Sequence, residues 1–214
     1  WWLALMARAK KGCVKNAREC YRKLNIMHKS IQQKFKEDII PKRAELFGVN
    51  NIMAVPRITK VVLNARIRRG GNVTEEIIVN TLTKITGQKP IVTKAKKSIS
   101  NFKIREGQAV GVKVTLRGRR AGNFLDKFIN VVLPRVRDFS GLSPAILDGA
   151  GNAAIGLSEH MVFPEVASDD MARTHGFQIC VSTTAKNNKD ALTLLKELGF
   201  PFKISSEKRE KKKK

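Results

Sequence analysis

The chain is short of the residues on which disulfide scaffolds, metal sites and catalytic centres depend. Cysteine occurs three times in 214 residues, at Cys13, Cys20 and Cys180, with no CxxC pair. An odd, scattered set of this kind excludes a disulfide framework, and its spacing matches no zinc pattern even with His28 included. Reduced thiols in a reducing compartment fit. Aromatic residues make up 6% of the chain: one Tyr, two Trp and ten scattered Phe. No two of them share an alternating strand, which argues against base stacking on a sheet. The histidines, His28, His160 and His175, have no Ser, Cys or carboxylate at an informative spacing; His160 and His175 are expected at the surface near strand ends. Asp169 and Asp170 sit in a polar loop and read as solvated. There is no Walker A sequence, and Gly149, Gly151 and Gly156 miss the spacing of a dinucleotide fingerprint. No apolar run approaches the ~18 residues a membrane span needs.

What the chain has is positive charge. Forty-two Lys and Arg face eighteen Asp and Glu, a formal net charge of +24. Residues 1–25 hold seven bases and one acid, and residues 203–214 seven bases and two acids. More than half of the excess therefore belongs to the body between them. A polyanionic partner follows, with nucleic acid favoured over an anionic membrane surface. The N-terminal segment reads as a basic extension, an organelle transit peptide or residues upstream of a true start at Met6 or Met27, and the sequence does not choose. The C-terminal tail is too charged to bury a core.

The most informative stretch runs from Gly87 to Gly118. Val110, Val112, Val114 and Leu116 alternate with Gly111, Lys113, Thr115 and Arg117, the period of a half-buried strand with a polar outer face. Ahead of it lies a basic loop, Lys94 to Gly107, in which Lys94, Lys96, Lys97, Lys103 and Arg105 outnumber Glu106. Phe102 stands at the loop's centre and has two readings, a ring that stacks on an exposed nucleotide or a pin that holds the loop to the body. A second alternating strand is expected at Ile58 to Asn64, with Val61 and Leu63 inward and Lys60, Val62 and Asn64 outward.

Helical spacing predicts a helix over 30–47, kinked or restarted at Pro41. Another runs through Ile77, Ile78, Leu82 and Ile85, capped by Asn72 or Thr74 and stopped at Gly87. A third spans 121–133 and ends at Pro134, and a fourth spans 189–198, with Leu192 and Leu195 inward and a stop at Gly199. Short strands are expected at 91–93, 153–157 and 176–184. Segment 135–152, with four Gly and Pro residues, reads as a long loop. Together these imply a single α+β domain, a mostly antiparallel sheet with helices on one face. The other face stays free and presents Lys60, Asn64, Lys113, Thr115 and Arg117. Such a surface suits a phosphate backbone and folded RNA rather than a small-molecule pocket, which is mostly apolar. A basic enzyme acting on nucleic acid would need clustered carboxylates or a His-centred site, and the sequence has neither. A binding protein that uses the sheet outside any larger assembly remains the alternative.

Six blocks in order, VPRITKVVLN (55–64), GQKPIVTKAKKSISNFKIREG (87–107), GVKVTLRG (111–118), PRVRDFSGLS (134–143), DGAGN (148–152) and TTAKN with GFPF (183–187, 199–202), closely resemble the ribosomal protein L5 family. The resemblance covers 26–202 and leaves 1–25 and 203–214 as basic additions. It implies a non-enzymatic large-subunit protein of the central protuberance, without cofactor, in the cytoplasm or an organelle. It further implies contact with 5S rRNA through Asn64, Gln88 and Thr115, supported by Lys60, Lys89, Lys113 and Arg117, alongside large-subunit rRNA. By the same resemblance, the loop carrying Lys97, Ser98, Asn101, Phe102, Lys103 and Arg105 reaches toward P-site tRNA. Segment 135–152, with Arg137, Asp138, Phe139 and Asp148, is the expected bridge to protein thirteen of the small-subunit head. One departure is Ala65-Arg66-Ile67-Arg68-Arg69, where family members carry a Gly-containing turn.

Overall fold

The computed structural model describes residues 30–67, 74–166 and 174–203. The 1–25 extension, the tail beyond Lys203, Cys13, Cys20, His28, Arg68, Arg69, Asn72, Asp169 and Asp170 lie outside the described residues. In chain order the elements are α1 (Ile31–Lys34), α2 (Arg43–Phe47), β1 (Ile58–Arg66), α3 (Glu75–Thr86), β2 (Ile91–Lys94), β3 (Ala109–Arg117), α4 (Gly118–Lys127), β4 (Ala153–Leu157), β5 (Phe177–Thr183) and α5 (Asn188–Leu198).

Ser30 opens α1 with a capping box: its hydroxyl accepts from the Gln33 amide at 3.3 Å, and the Gln33 side chain accepts from the Ser30 amide at 3.0 Å. These bonds satisfy two amides that a helix start leaves without partners. The helix then widens into a π turn over Phe35–Ile39 just before Pro41, and α4 does the same over Phe128–Val132 just before Pro134. A proline ring crowds the carbonyl four residues back and offers no N–H, so a wider turn ahead of it eases the clash. At Pro41 the helix restarts, one of the two outcomes expected there: residues 40–42 form a turn and α2 begins anew at Arg43. Pro134 does not end its helix, because it fits inside a final tight turn, Leu133–Arg135. The stops at Gly87 and Gly199 are as expected, with φ of 65° and 102°.

One antiparallel sheet orders its strands β2-β3-β1-β5-β4. Alternation sends Val61, Leu63 and Ala65 of β1 inward with Val112, Val114 and Leu116 of β3 and Phe177, Ile179 and Val181 of β5. They join Ile78, Leu82 and Ile85 of α3, Phe124 and Leu125 of α4 and Leu194, Leu195 and Leu198 of α5 in one core. Burying each such side chain stabilises the fold by about 1.5–3 kcal/mol. Among the described residues the helices cover the inner face alone, and the outer face is open.

Three expectations need correcting. The inward face of α5 is Ala191, Leu194, Leu195 and Leu198, with Leu192 only half-buried, because the stripe follows the 3.6-residue period from Ala191. Segment 135–152 is not structureless: it holds a short 3-10 turn (Pro144–Ile146), and Leu142 bridges to Phe202 and Leu147 to Ala153. His160 and His175 are not at the surface. They are 0% and 7% exposed and stack face to face at 4.2 Å, because the ends of β4 and β5 bring the two rings together under the core.

Candidate nucleic-acid interface

Strand register decides which outward residues become neighbours. Lys60 on β1 lies beside Arg117 on β3 and Ser182 on β5. Two residues on, Val62 lies between Thr115 and Cys180, and Asn64 lies between Lys113 and Gln178. Arg66 then pairs with Gly111, which in turn faces Thr93 on β2. Side chains directly across an antiparallel pair sit about 4.5–5.5 Å apart at Cβ, so each row is a contiguous strip. The structure thus gathers Lys60, Asn64, Lys113, Thr115 and Arg117 on one open surface.

That surface has three parts: a cationic row at one end, a shallow half-buried strip of Val62, Cys180 and Ala154 in the middle, and a row of Lys113 with two amides at the other end. Burial pushes the Cys180 thiol pKa up, so the centre of the face stays neutral. None of the five strands contains a carboxylate. Placing Lys60 directly opposite Arg117 is unfavourable for the isolated fold, since like charges across a strand pair repel. A polyanion reverses the sign of that term.

Gln88 and Lys89 enter from the α3–β2 connection. The Gln88 side chain donates to the Thr115 carbonyl at 3.4 Å and accepts from Arg120 at 3.4 Å. It is therefore tied to the end of β3 beside the cationic row, while Lys89 is exposed.

The basic loop is a second, smaller hairpin standing on β2 and β3. Its base is closed by Ala95 donating to Gln108 O at 2.8 Å and by Gly107 donating to Ala95 O at 3.0 Å. Ile99 and Ile104 exchange two bonds at 2.9 and 3.0 Å, and Lys103 donates to Ser100 O at 2.9 Å, closing a tight turn with Lys103 at φ 51°. Asn101 and Phe102 form the tip. Phe102 is 67% exposed, which a hydrophobic pin would not be. Lys97, Ser98, Lys103 and Arg105 are exposed with it.

The third group lies on the connection between α4 and β4. Arg137 and Asp138 are exposed, with Asp138 at φ 52°, and Phe139 is half-buried against the core. Asp148 organises its own turn, accepting from the amides of Ala150 at 2.9 Å and Asn152 at 3.0 Å and from the Asn152 side chain at 2.8 Å. Those bonds, the Asn152 side chain first, hold its pKa below the usual carboxylate range.

Gln178, Ser182, Cys180 and Arg120 belong to this surface and are not recognisable as such in the sequence. The alternation of β5 is readable, but which strand its outward residues join is not. Among the described residues there is no cluster of three metal-ligating side chains and no helix long and apolar enough to cross a membrane.

Two family models match in succession: ribosomal protein L5 over residues 51–105, which takes in most of the basic loop, and the ribosomal L5P family C-terminus over residues 109–202. The "Large ribosomal subunit protein uL5" of Fervidobacterium nodosum is 51% identical over 175 residues, 81% of this chain and 95% of that protein. The chain belongs to the ribosomal protein L5 family. The proteins of the same name from Halothermothrix orenii (48% over 177 residues, 80% of this chain and 97% of the relative) and Thermotoga maritima (50% over 175 residues, 81% and 95%) agree. The family is structural and non-enzymatic. Its two matched units meet between Arg105 and the first residue of β3, so one sheet is completed by strands from both.

Proposed function

We propose that this L5-family chain, a structural constituent of the large ribosomal subunit in the cytoplasm, binds 5S rRNA with the open face of its sheet and helps attach it to the central protuberance. The observation that carries the reading is the uncovered face itself, with cations set side by side and no carboxylate on any strand. Lys60, Lys89, Lys113 and Arg117 neutralise phosphates and supply most of the affinity, while Asn64, Gln88 and Thr115 select one RNA shape through hydrogen bonds. The 95–108 hairpin contacts P-site tRNA with Lys97, Ser98, Asn101, Phe102, Lys103 and Arg105. Arg137, Asp138, Phe139 and Asp148 mark the bridge to protein thirteen of the small-subunit head. The binding unit is 26–202, with 1–25 and 203–214 as basic additions.

The test is the salt dependence of 5S rRNA binding. Lys113→Ala weakens binding and flattens the log–log slope by about 0.7–0.9, the share of one neutralised phosphate. Thr115→Ala weakens binding at an unchanged slope. Equal slopes for wild type and Lys113→Ala would remove direct phosphate contact from the reading. Shortening the loop between Lys97 and Arg105 leaves 5S rRNA binding intact and reduces P-site tRNA retention on the ribosome.

A further inference from the structure

The sheet end from which the basic hairpin leaves is not flat. A cleft of about 690 Å3 opens there between the outer face and the residues that leave β4 and enter β5. Asn64 and Arg66 of β1 and Gln178 of β5 form one wall, and Ser158, Glu159 and Thr174 form the opposite rim. We propose that this cleft receives one nucleotide turned out of the bound RNA, its base edge read by the Asn64 and Gln178 amides and its phosphate held by Arg66. The proposal rests on the sheet being an RNA surface and adds to it a site for a single extruded residue.

Size, chemistry and access agree. The volume falls within the about 300–1,000 Å3 of pockets that hold one small molecule. Asn64 and Gln178 are directly opposite in the β1–β5 register, and both are exposed. Neither side chain takes a hydrogen bond from another described residue, and each carries both a donor and an acceptor. Two adjacent carboxamides suit a base edge, where donors and acceptors alternate, better than they suit a phosphate. On the other flank of Gln178 the edge strand has Gly156, where a Cβ would meet nothing within 4 Å, so the approach is open.

The two charges in the cleft set a direction. Arg66 draws the phosphate to the β1 side, and the Glu159 carboxylate repels it and accepts instead from a 2′-hydroxyl or an exocyclic amine. A base still stacked in a helix cannot enter. An unpaired base can, and unpaired bases are where RNA sequence is usually read.

The experiment compares full-length wild type, Gln178→Ala and Gly156→Leu on 5S rRNA, using reagents that modify Watson–Crick edges alongside a backbone-cleavage footprint. Wild type shields one unpaired base, and both variants re-expose that base while the backbone footprint stays. Gln178→Ala weakens binding about 5- to 100-fold at an unchanged salt slope. Melting temperatures of the variants match wild type, since both positions are exposed. Identical base protection in wild type and Gln178→Ala overturns the cleft proposal, as does loss of the whole footprint in that variant. A wild type that shields no RNA at all overturns the reading of the sheet, and the cleft falls with it.

Discussion

The loop between β2 and β3 closes on itself, with Ala95 bonded to Gln108 and Gly107, Ile99 to Ile104 and Lys103 to Ser100. The segment 135–152 is built the other way, out of bonds to distant parts of the chain. Leu142 donates to Pro201 O at 2.7 Å and accepts from Lys203 at 2.8 Å. The Asn188 side chain accepts from Gly149 at 3.1 Å and Gly151 at 3.3 Å, and Thr183 donates its hydroxyl to Gly151 O at 2.7 Å. One loop is an arm bonded within itself; the other is mortar between α5, β5 and the chain's last described residues. The Gly and Pro residues of 135–152 mark a loop, but they do not say whether it stands free or ties distant elements together until its partners are known.

The largest break in that comparison comes from two glycines with similar backbones. Gly151, at φ 82°, has no room for a side chain, since a Cβ there would meet Ala185 O at 2.6 Å. Gly107, at φ 78°, has nothing within 4 Å. Gly151→Ala is expected to destabilise the protein by about 3 kcal/mol, lowering Tm by roughly 8 °C. Gly107→Ala costs about 1 kcal/mol, from backbone strain alone. Equal losses in denaturant titrations would mean that the two loops are anchored alike.

Next in size is Asn188→Ala, which removes the acceptor of two backbone amides and is expected to lower stability by about 1–2 kcal/mol in urea unfolding. Asp148 gives a smaller, pH-dependent effect. Its pKa is lowered in the folded state, so its contribution is present above the unfolded-state value and fades as pH falls below about 4 through the folded one. Asp148→Asn should therefore lose less stability than wild type between pH 6 and pH 3. A steeper loss in the variant contradicts that assignment. The smallest change is Phe102→Ala, expected to leave the unfolding free energy within about 0.5 kcal/mol of wild type. A clear drop in Tm would show that the arm's tip is anchored after all.

Much of the fold was legible because its signals are local. The alternation of β1 and β3 placed Val61, Leu63, Val112, Val114 and Leu116 inward, and the structure agrees. The Gly87 and Gly199 stops and the break at Pro41 were readable for the same reason: each depends on a few adjacent residues. The π turns before Pro41 and Pro134 were not, because proline announces a clash without saying how the chain relieves it. Leu192 misled because a short helix holds several apolar residues, and the phase of its 3.6-residue stripe is set by what packs on it, α1 and the π turn Phe35–Ile39. His160 and His175 are fifteen residues apart, and nothing in their spacing states that two strand ends stack them.

By itself, then, the amino-acid order determined the basic character of the chain and which side of each strand is polar, since a two-residue repeat assigns faces without reference to any partner. Tertiary structure alone decided who stands beside whom. Asn64 meets Gln178 across 113 intervening positions only because β1 takes its place between β3 and β5, and Gly151 tolerates no side chain only because Ala185 lies against it. Those pairings follow from burying one continuous core beneath a single sheet, a condition that acts on the whole chain at once and leaves no trace in any one stretch of it.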